Sequence, residues 1–101
     1  MLYESDKEQF ETALSKKPEL LLEVFYASWC GPCRMYKGSL DELVEKHNVD
    51  VYRINIDDNR AYATEAMVAS IPYTRVYRDG KLVSTFLGYK PYGELKEILG
   101  L

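Results

Sequence analysis

The segment Leu20–Ala27 restricts the possible folds of this chain more than any other part of it. Seven of its eight residues are apolar, the exception being Glu23, and the run includes β-branched and aromatic side chains. A short run of this kind is typical of a strand that is buried on both faces. A sheet covered on both faces needs helices on each side, so the segment predicts an α/β fold.

With this strand included, the chain alternates helical and strand patterns in the order α-β-α-β-α-β-β-α, with room for one further strand at the N-terminus. Crossover helices produce parallel neighbours, whereas Asp79-Gly80 is typical of a hairpin turn that joins an antiparallel pair. We therefore expect a mixed central sheet of four to five strands flanked by helices on both faces. Besides 20–27, the predicted elements are a helix capped by Ser5–Glu8 that ends before Pro18, a helix over 33–47, a strand over 51–56, a helix capped by 57–59 that runs to 67, strands over 73–77 and 82–87, and a helix over 91–99.

Length and composition narrow the functional classes. The 101 residues are 47% hydrophobic and 29% charged, which predicts a single globular domain over residues 1–101. The net charge of −3 disfavours nucleic-acid binding, which requires a basic face. No apolar run approaches the roughly 20 residues that span a bilayer, so no membrane partner is expected. No pattern indicates self-association, and we expect a monomer.

Both cysteines of the chain lie in the tetrapeptide Cys30-Gly31-Pro32-Cys33. A bond between them closes a very small loop and stabilises little through chain entropy, so the pair is more plausibly chemical than structural. The segment from Met1 to Asp6 lacks the basic and apolar regions of a signal peptide. These features predict a cytoplasmic protein.

The tetrapeptide stands where the apolar strand gives way to a helix. Unpaired N–H groups and the positive end of the helix dipole favour a thiolate there, and the thiolate is the nucleophile in disulfide exchange. We expect Cys30 to be the exposed attacking sulfur and Cys33, one turn in and partly covered, to resolve the mixed disulfide. Pro32 suits the first helical turn because its missing N–H is not needed.

Two other interpretations of the cysteines stay open at this point. A zinc site would need two more soft ligands, and the only histidine, His47, is about four helical turns away. An inert buried pair is the other, because a free cysteine often packs as a small apolar residue. The chain has no Gly-rich dinucleotide motif, so we expect no bound NADPH or flavin, and because the further zinc ligands are lacking we expect no metal.

The segment Phe25–Met35 resembles the active-site segment of the thioredoxin family. Trp29 before the tetrapeptide and Ile71-Pro72 about forty residues after it make the match specific. The likeness covers nearly the whole chain in the family's order, through residues 41–43, 53–57, 70–72, 77–80, 87–88 and 94–97.

The resemblance implies a thioredoxin fold and a protein-disulfide reductase that acts on disulfide-containing proteins and receives electrons from a thioredoxin reductase. It also implies a cis peptide bond at Ile71-Pro72 that faces the sulfurs. The implied docking surface for substrate comprises Trp29, Gly31, Pro32, Ile56, Ile71, Pro72, Leu87 and Gly88. Ile56 and Leu87 can equally be half-buried strand ends. Two alternative functions remain: a binding or accessory module of the same fold, and a disulfide oxidase or isomerase.

The chain departs from the family pattern beside the cysteines. Val24 stands six residues before Cys30, where the family carries a buried Asp that helps move the proton of the resolving cysteine. Arg53 stands where the family has the Lys that pairs with this Asp, so we expect it to lack a partner. The departure predicts slow release of the mixed disulfide at neutral pH.

Glu23 and Arg75 are the second unusual feature. Strand alternation turns Glu23 away from the face of Val24. If the strand over 73–77 lies antiparallel to 20–27, Arg75 can stand opposite Glu23, and we predict a cross-strand ion pair. The alternative is that each side chain extends separately to solvent.

Overall fold

The structure is a computed structural model that describes all residues from Met1 to Leu101. Five strands and four helices confirm the predicted order, and a strand occupies the place left at the N-terminus. The elements are β1 (Leu2–Ser5), α1 (Lys7–Ser15), β2 (Leu21–Tyr26), α2 (Gly31–Lys46), β3 (Asp50–Asn55), α3 (Arg60–Glu65), β4 (Tyr73–Arg78), β5 (Lys81–Leu87) and α4 (Tyr92–Ile98). None of the helices is both long enough and apolar enough to cross a membrane.

The strands form one mixed sheet in the order β1-β3-β2-β4-β5. β3 runs parallel to both β1 and β2, whereas β4 runs antiparallel to β2 and β5. The apolar strand β2 is therefore central, as its composition predicts. Because β4 runs antiparallel to β2, the carboxyl end of β2 lies beside the start of β4, where Phe25 pairs with Tyr73.

Helices cover both faces of the sheet. On one face, Leu22 and Val24 of β2 belong to a buried cluster with Leu40 of α2 and Leu95 of α4. On the other face, a second cluster includes Phe25 and Phe10, from β2 and α1. Every residue from Leu21 to Phe25 is at most 1% exposed, which confirms the strand buried on both faces.

Helix α1 begins one residue later than the sequence pattern predicts. Asp6 is its N-cap: the carboxylate accepts the N–H of Gln9 at 2.8 Å, and the Gln9 side chain accepts the N–H of Asp6 at 3.3 Å. Ser5 is unavailable as a cap because it pairs with Ile54 as the last residue of β1. Tertiary pairing thus moves the capping box from Ser5 to Asp6.

Helix α3 is shorter than predicted. The side-chain oxygen of Asn55 accepts the N–H groups of Asp57 and Asp58, at 2.9 and 3.4 Å. This interaction folds residues 57–58 into a turn, and Asn59 precedes the helix without a side-chain capping bond. The helix therefore covers only residues 60–65.

The hairpin between β4 and β5 confirms the prediction from Asp79-Gly80. Both residues have positive φ, 53° and 83°, as the favoured two-residue turn requires. A Cβ atom on Gly80 would lie 2.9 Å from the Cγ atom of Lys17, so glycine is also needed for close packing.

Candidate active site

The two cysteines lie at the junction of β2 and α2. Cys30 is the N-cap of α2 in extended conformation, and Cys33 lies in the first turn of the helix. A disulfide joins them, with a Cα–Cα distance of 5.2 Å. Pro32 in the first turn lacks only an N–H that would have no helical partner. The strand–turn–helix geometry thus brings the sulfurs together.

The start of α2 favours negative charge on the sulfur of Cys30. The backbone N–H of Cys33 donates to the Sγ atom of Cys30 at 3.2 Å. The first turn of this 16-residue helix contains no acidic residue. When the disulfide is open, the same N–H and the helix dipole stabilise a thiolate at Cys30.

The expectation of an exposed Cys30 is wrong. Cys30 is only 7% exposed and Cys33 is 2% exposed. The reason is that Ile56 and Ile71 pack against the small cluster that the two cysteines form with Ala27. Cys30 remains the more accessible of the two cysteines.

The cis peptide bond at Ile71-Pro72, implied by the resemblance, is present. The Sγ atom of Cys30 lies 4.0 Å from the carbonyl oxygen of Ile71. The N–H of Gly88 donates to the carbonyl oxygen of Pro72 at 2.8 Å. This bond fixes the end of β5 beside the cis-proline loop.

The structure brings the remaining predicted residues to the same end of the sheet. Trp29 and Leu87 are 66% and 55% exposed. Pro32 is exposed as well, whereas Gly31 and Gly88 are half-buried and Pro72 is buried. Asp57 was not predicted: its carboxylate accepts the indole N–H of Trp29 at 2.8 Å. Asp57 directly follows Ile56 at the predicted end of a strand, and this position was the only sign in the sequence that it could belong to the site.

No carboxylate belongs to the buried cluster that Val24 joins, and its neighbour in the β2–β3 register is Arg53. Val24 is 1% exposed and belongs to a buried cluster with Tyr36 and Leu40 of α2. Glu23 points to the opposite face, as predicted, and does not replace the missing acid. No three His, Cys, Asp or Glu side chains are grouped so that they could hold a metal ion.

Arg53 has a partner, contrary to expectation. Its Nη1 atom lies 2.9 Å from a carboxylate oxygen of Glu4, which is its neighbour in the β1–β3 register. Its guanidinium carbon is 3.7 Å from the centre of the Tyr26 ring, and the Tyr26 hydroxyl donates to Glu4 at 2.5 Å. The added strand β1 supplies this acid, which is why the motif alone missed it.

Glu23 is fully buried on the face that α1 and α3 cover. Its carboxylate accepts the hydroxyls of Tyr62 and, at 3.4 Å, Tyr77. The predicted ion pair is present, with Arg75 Nη1 at 3.9 Å. Burial raises the pKa of Glu23 to about 7, against the opposing effect of the Tyr62 hydrogen bond and the charge of Arg75.

A pair of bonded sulfurs at a helix start, beside a cis-proline and on a five-stranded mixed sheet, defines a thiol–disulfide oxidoreductase. The thioredoxin family model matches residues 1–100. The chain belongs to the thioredoxin family, and its activity is of the protein-disulfide reductase type.

Relatives and solved structures agree with this assignment. The thioredoxin of Streptomyces clavuligerus is 39% identical over 87 residues, which cover 85% of this chain and 81% of that protein. The thioredoxin of Listeria monocytogenes is 37% identical over 82 residues, or 79% of this chain and 80% of that protein. A mutant thioredoxin from Halobacterium salinarum superposes with a TM-score of 0.81 at 28% identity, covering 97% of this chain and 85% of that one. Chloroplastic thioredoxin z superposes with a TM-score of 0.91 at 24% identity, covering 98% of this chain and 91% of that one. This similarity supports the assignment of the fold.

Proposed function

We propose that this chain reduces disulfide bonds in other proteins, with Cys30 as the attacking sulfur and Cys33 as the resolving one. The observation that carries the assignment is the N–H of Cys33, which points at the Sγ atom of Cys30 from 3.2 Å. Cys33 has no equivalent donor and is the more buried sulfur, at 2% against 7% exposed. The stabilised thiolate is therefore at Cys30, on the accessible side.

The reaction has two exchange steps. The Cys30 thiolate attacks one sulfur of the substrate disulfide, forms a mixed disulfide and releases the other substrate sulfur as a thiolate. Cys33 then loses its proton and attacks the Sγ atom of Cys30, which releases the second substrate thiolate and forms the Cys30–Cys33 disulfide. Two electrons pass from the protein to the substrate.

The proton of Cys33 has no buried carboxylate to receive it. Val24 stands where the family pattern has the acid, and its register neighbours are Arg53 and Thr74. The carboxylate that pairs with Arg53 is that of Glu4, which is exposed and two strands away from β2. The proton therefore goes to water, which makes resolution of the mixed disulfide the slow step at neutral pH.

The substrate docks around the cis-proline loop. The carbonyl oxygen of Ile71 lies 4.0 Å from the sulfur of Cys30, so an extended substrate chain that pairs with this backbone has its disulfide at the attacking atom. Exposed Trp29 and Leu87 supply apolar contact area on either side. The full proposed surface is Trp29, Gly31, Pro32, Ile56, Ile71, Pro72, Leu87 and Gly88.

The wider setting follows from the same chemistry. The oxidised pair must be reduced again by a dithiol donor, which we assign to a thioredoxin reductase. A reducing compartment, the cytoplasm, suits a pair that must return to the dithiol. Both sulfurs and the cis-proline come from this one chain, and its five strands form a single sheet, which supports a monomer with a single domain over residues 1–101.

Reduction of insulin by dithiothreitol tests the assignment of the two cysteines. The wild-type protein is expected to accelerate this reduction, and Cys30→Ser is expected to abolish the acceleration. Cys33→Ser is expected to accumulate a mixed disulfide with the substrate, which mass spectrometry detects. Ser28→Ala, a nearby exposed residue, serves as the matched control. Retention of activity by Cys30→Ser, or trapping through Cys33 instead, would overturn the assigned roles.

A further inference from the structure

Two buried hydroxyl groups meet between helix α2 and strand β4. The hydroxyl of Tyr36 and the Oγ1 atom of Thr74 are 2.9 Å apart, and the residues are 1% and 0% exposed. Each hydroxyl has the other as its only side-chain hydrogen-bond partner, and theirs is the only side-chain hydrogen bond from α2 to the sheet. A bond in this position ties one helix to one strand.

The two residues belong to the two halves of the active site. Tyr36 follows Cys33 by three residues, so both lie on the same face of α2. Thr74 follows the cis-proline Pro72 by two residues, in the strand that the cis bond opens. The bond therefore connects the helix that carries the sulfurs with the loop whose Ile71 carbonyl faces Cys30.

The pair is surrounded by apolar side chains. Val24 stands directly opposite Thr74 in the β2–β4 register and shares a buried cluster with Tyr36, Leu40 and Val76. Burial raises the pKa of Tyr36 well above its usual range, so its hydroxyl stays neutral and accepts no proton from Cys33. The Tyr36–Thr74 pair therefore affects the cysteines only by holding α2 in place, and not by proton transfer.

We propose that the Tyr36–Thr74 hydrogen bond is a positioning pair that holds the start of α2 against β4 and thereby favours the Cys30–Cys33 disulfide over the open dithiol. This inference rests on the proposed function. Ring closure requires the Sγ atom of Cys33 to stay within reach of Cys30, and a helix anchored three residues away keeps it there. Opening the disulfide removes that constraint, so the anchor contributes more in the closed state.

The dithiol–disulfide equilibrium measures this difference directly. Removal of an interaction that is equally strong in both redox states lowers the stability of both and leaves the equilibrium with glutathione unchanged. Removal of an interaction that is stronger in one state shifts this equilibrium. Tyr36→Phe and Thr74→Val are each expected to lower the equilibrium constant for disulfide formation by about three- to tenfold, where the upper value corresponds to a hydrogen bond that is lost completely in the dithiol. The double variant is expected to shift no further than either single one, because both remove the same bond.

Two further variants serve as controls. Thr74→Ser keeps a hydroxyl at the same place and is expected to restore the wild-type equilibrium. Ser39→Ala removes the other buried hydroxyl of α2, which makes no bond to β4, and is expected to change nothing. If Tyr36→Phe does not fold, Thr74→Val and Thr74→Ser carry the comparison.

An unchanged glutathione equilibrium, with equal losses of stability in the oxidised and reduced proteins, would overturn the positioning role. Additive shifts in the double variant would do so as well. Failure of the proposed function is recognised separately, because either the wild-type protein would show no exchange with glutathione or Cys30→Ser would still accelerate the reduction of insulin.

Discussion

Glu23 and Arg75 lie directly opposite each other in the antiparallel pair of β2 and β4. The nearest guanidinium nitrogen is 3.9 Å from the carboxylate, and the two side chains are 0% and 20% exposed. The closer contacts of Glu23 are the hydroxyls of Tyr62 and Tyr77. The carboxylate is thus held chiefly by neutral donors, with a loosely placed cation, and this arrangement determines how it responds to pH.

Stability is expected to fall as the pH rises from about 5 to above 7. The pKa of Glu23 is raised from 4.5 to about 7 in the folded protein. The folded state therefore binds this proton more tightly than the unfolded state, and the benefit is complete below pH 4.5 and lost as the pH passes about 7. The shift corresponds to about 3 kcal/mol.

Glu23→Gln isolates this contribution. Urea unfolding at pH 5 and pH 8 is expected to show a smaller difference between the two conditions in the variant than in the wild type, by up to about 3 kcal/mol. Glu97→Gln, an exposed position on α4 that does not contribute to the pKa shift of Glu23, is the matched control. Equal pH dependence in the wild type and in Glu23→Gln would rule out a buried carboxylate that titrates near neutrality.

The ion pair is tested by a double-mutant cycle at pH 8. Arg75→Leu is expected to cost about 1 kcal/mol more in the wild type than in the Glu23→Gln background, because only the wild type leaves a buried charge without its cation. Part of the cost remains in both backgrounds, since Arg75 also donates to the carbonyl oxygen of Ala66 at 2.9 Å. Identical costs in the two backgrounds would show that the pair contributes nothing.

Val24→Asp is expected to speed the release of mixed disulfide at pH 7. A carboxylate at this buried position supplies a proton acceptor for Cys33, and such groups contribute about 100-fold or more when well placed. Single-turnover measurements with a trapped mixed disulfide report the step, and Val24→Asn controls for size and polarity. No acceleration in a folded Val24→Asp variant would contradict the idea that the missing acid limits turnover.

Met67→Gly is expected to stabilise the protein by about 0.5–1 kcal/mol. Met67 follows Ala66, the C-cap of α3, and has a φ of 57°. A side chain in this left-handed conformation is strained, and because Met67 is 84% exposed its burial offsets little of that strain. Thermal unfolding is the measurement. Met35→Gly, exposed but inside α2, is the opposing control and is expected to destabilise by a similar amount.

Several features were predictable because their causes are local. The apolar run of β2, the helix start at Cys30-Gly31-Pro32-Cys33 and the turn at Asp79-Gly80 each depend on a few neighbouring residues. Alternation along β2 also placed Glu23 and Val24 on opposite faces. The cis bond before Pro72 came only from the family resemblance, because most peptide bonds before proline are trans.

Other features depend on residues far apart in the chain, and only the tertiary structure decided them. The N-cap of α1 moved to Asp6, and Arg53 gained Glu4, because β1 pairs with β3 across 49 residues. Cys30 is covered because Ile56 and Ile71 converge on it, and Tyr36 meets Thr74 across 38 residues. Spacing and periodicity describe what one segment favours, whereas these contacts follow from how the strands are ordered and how the helices pack on them.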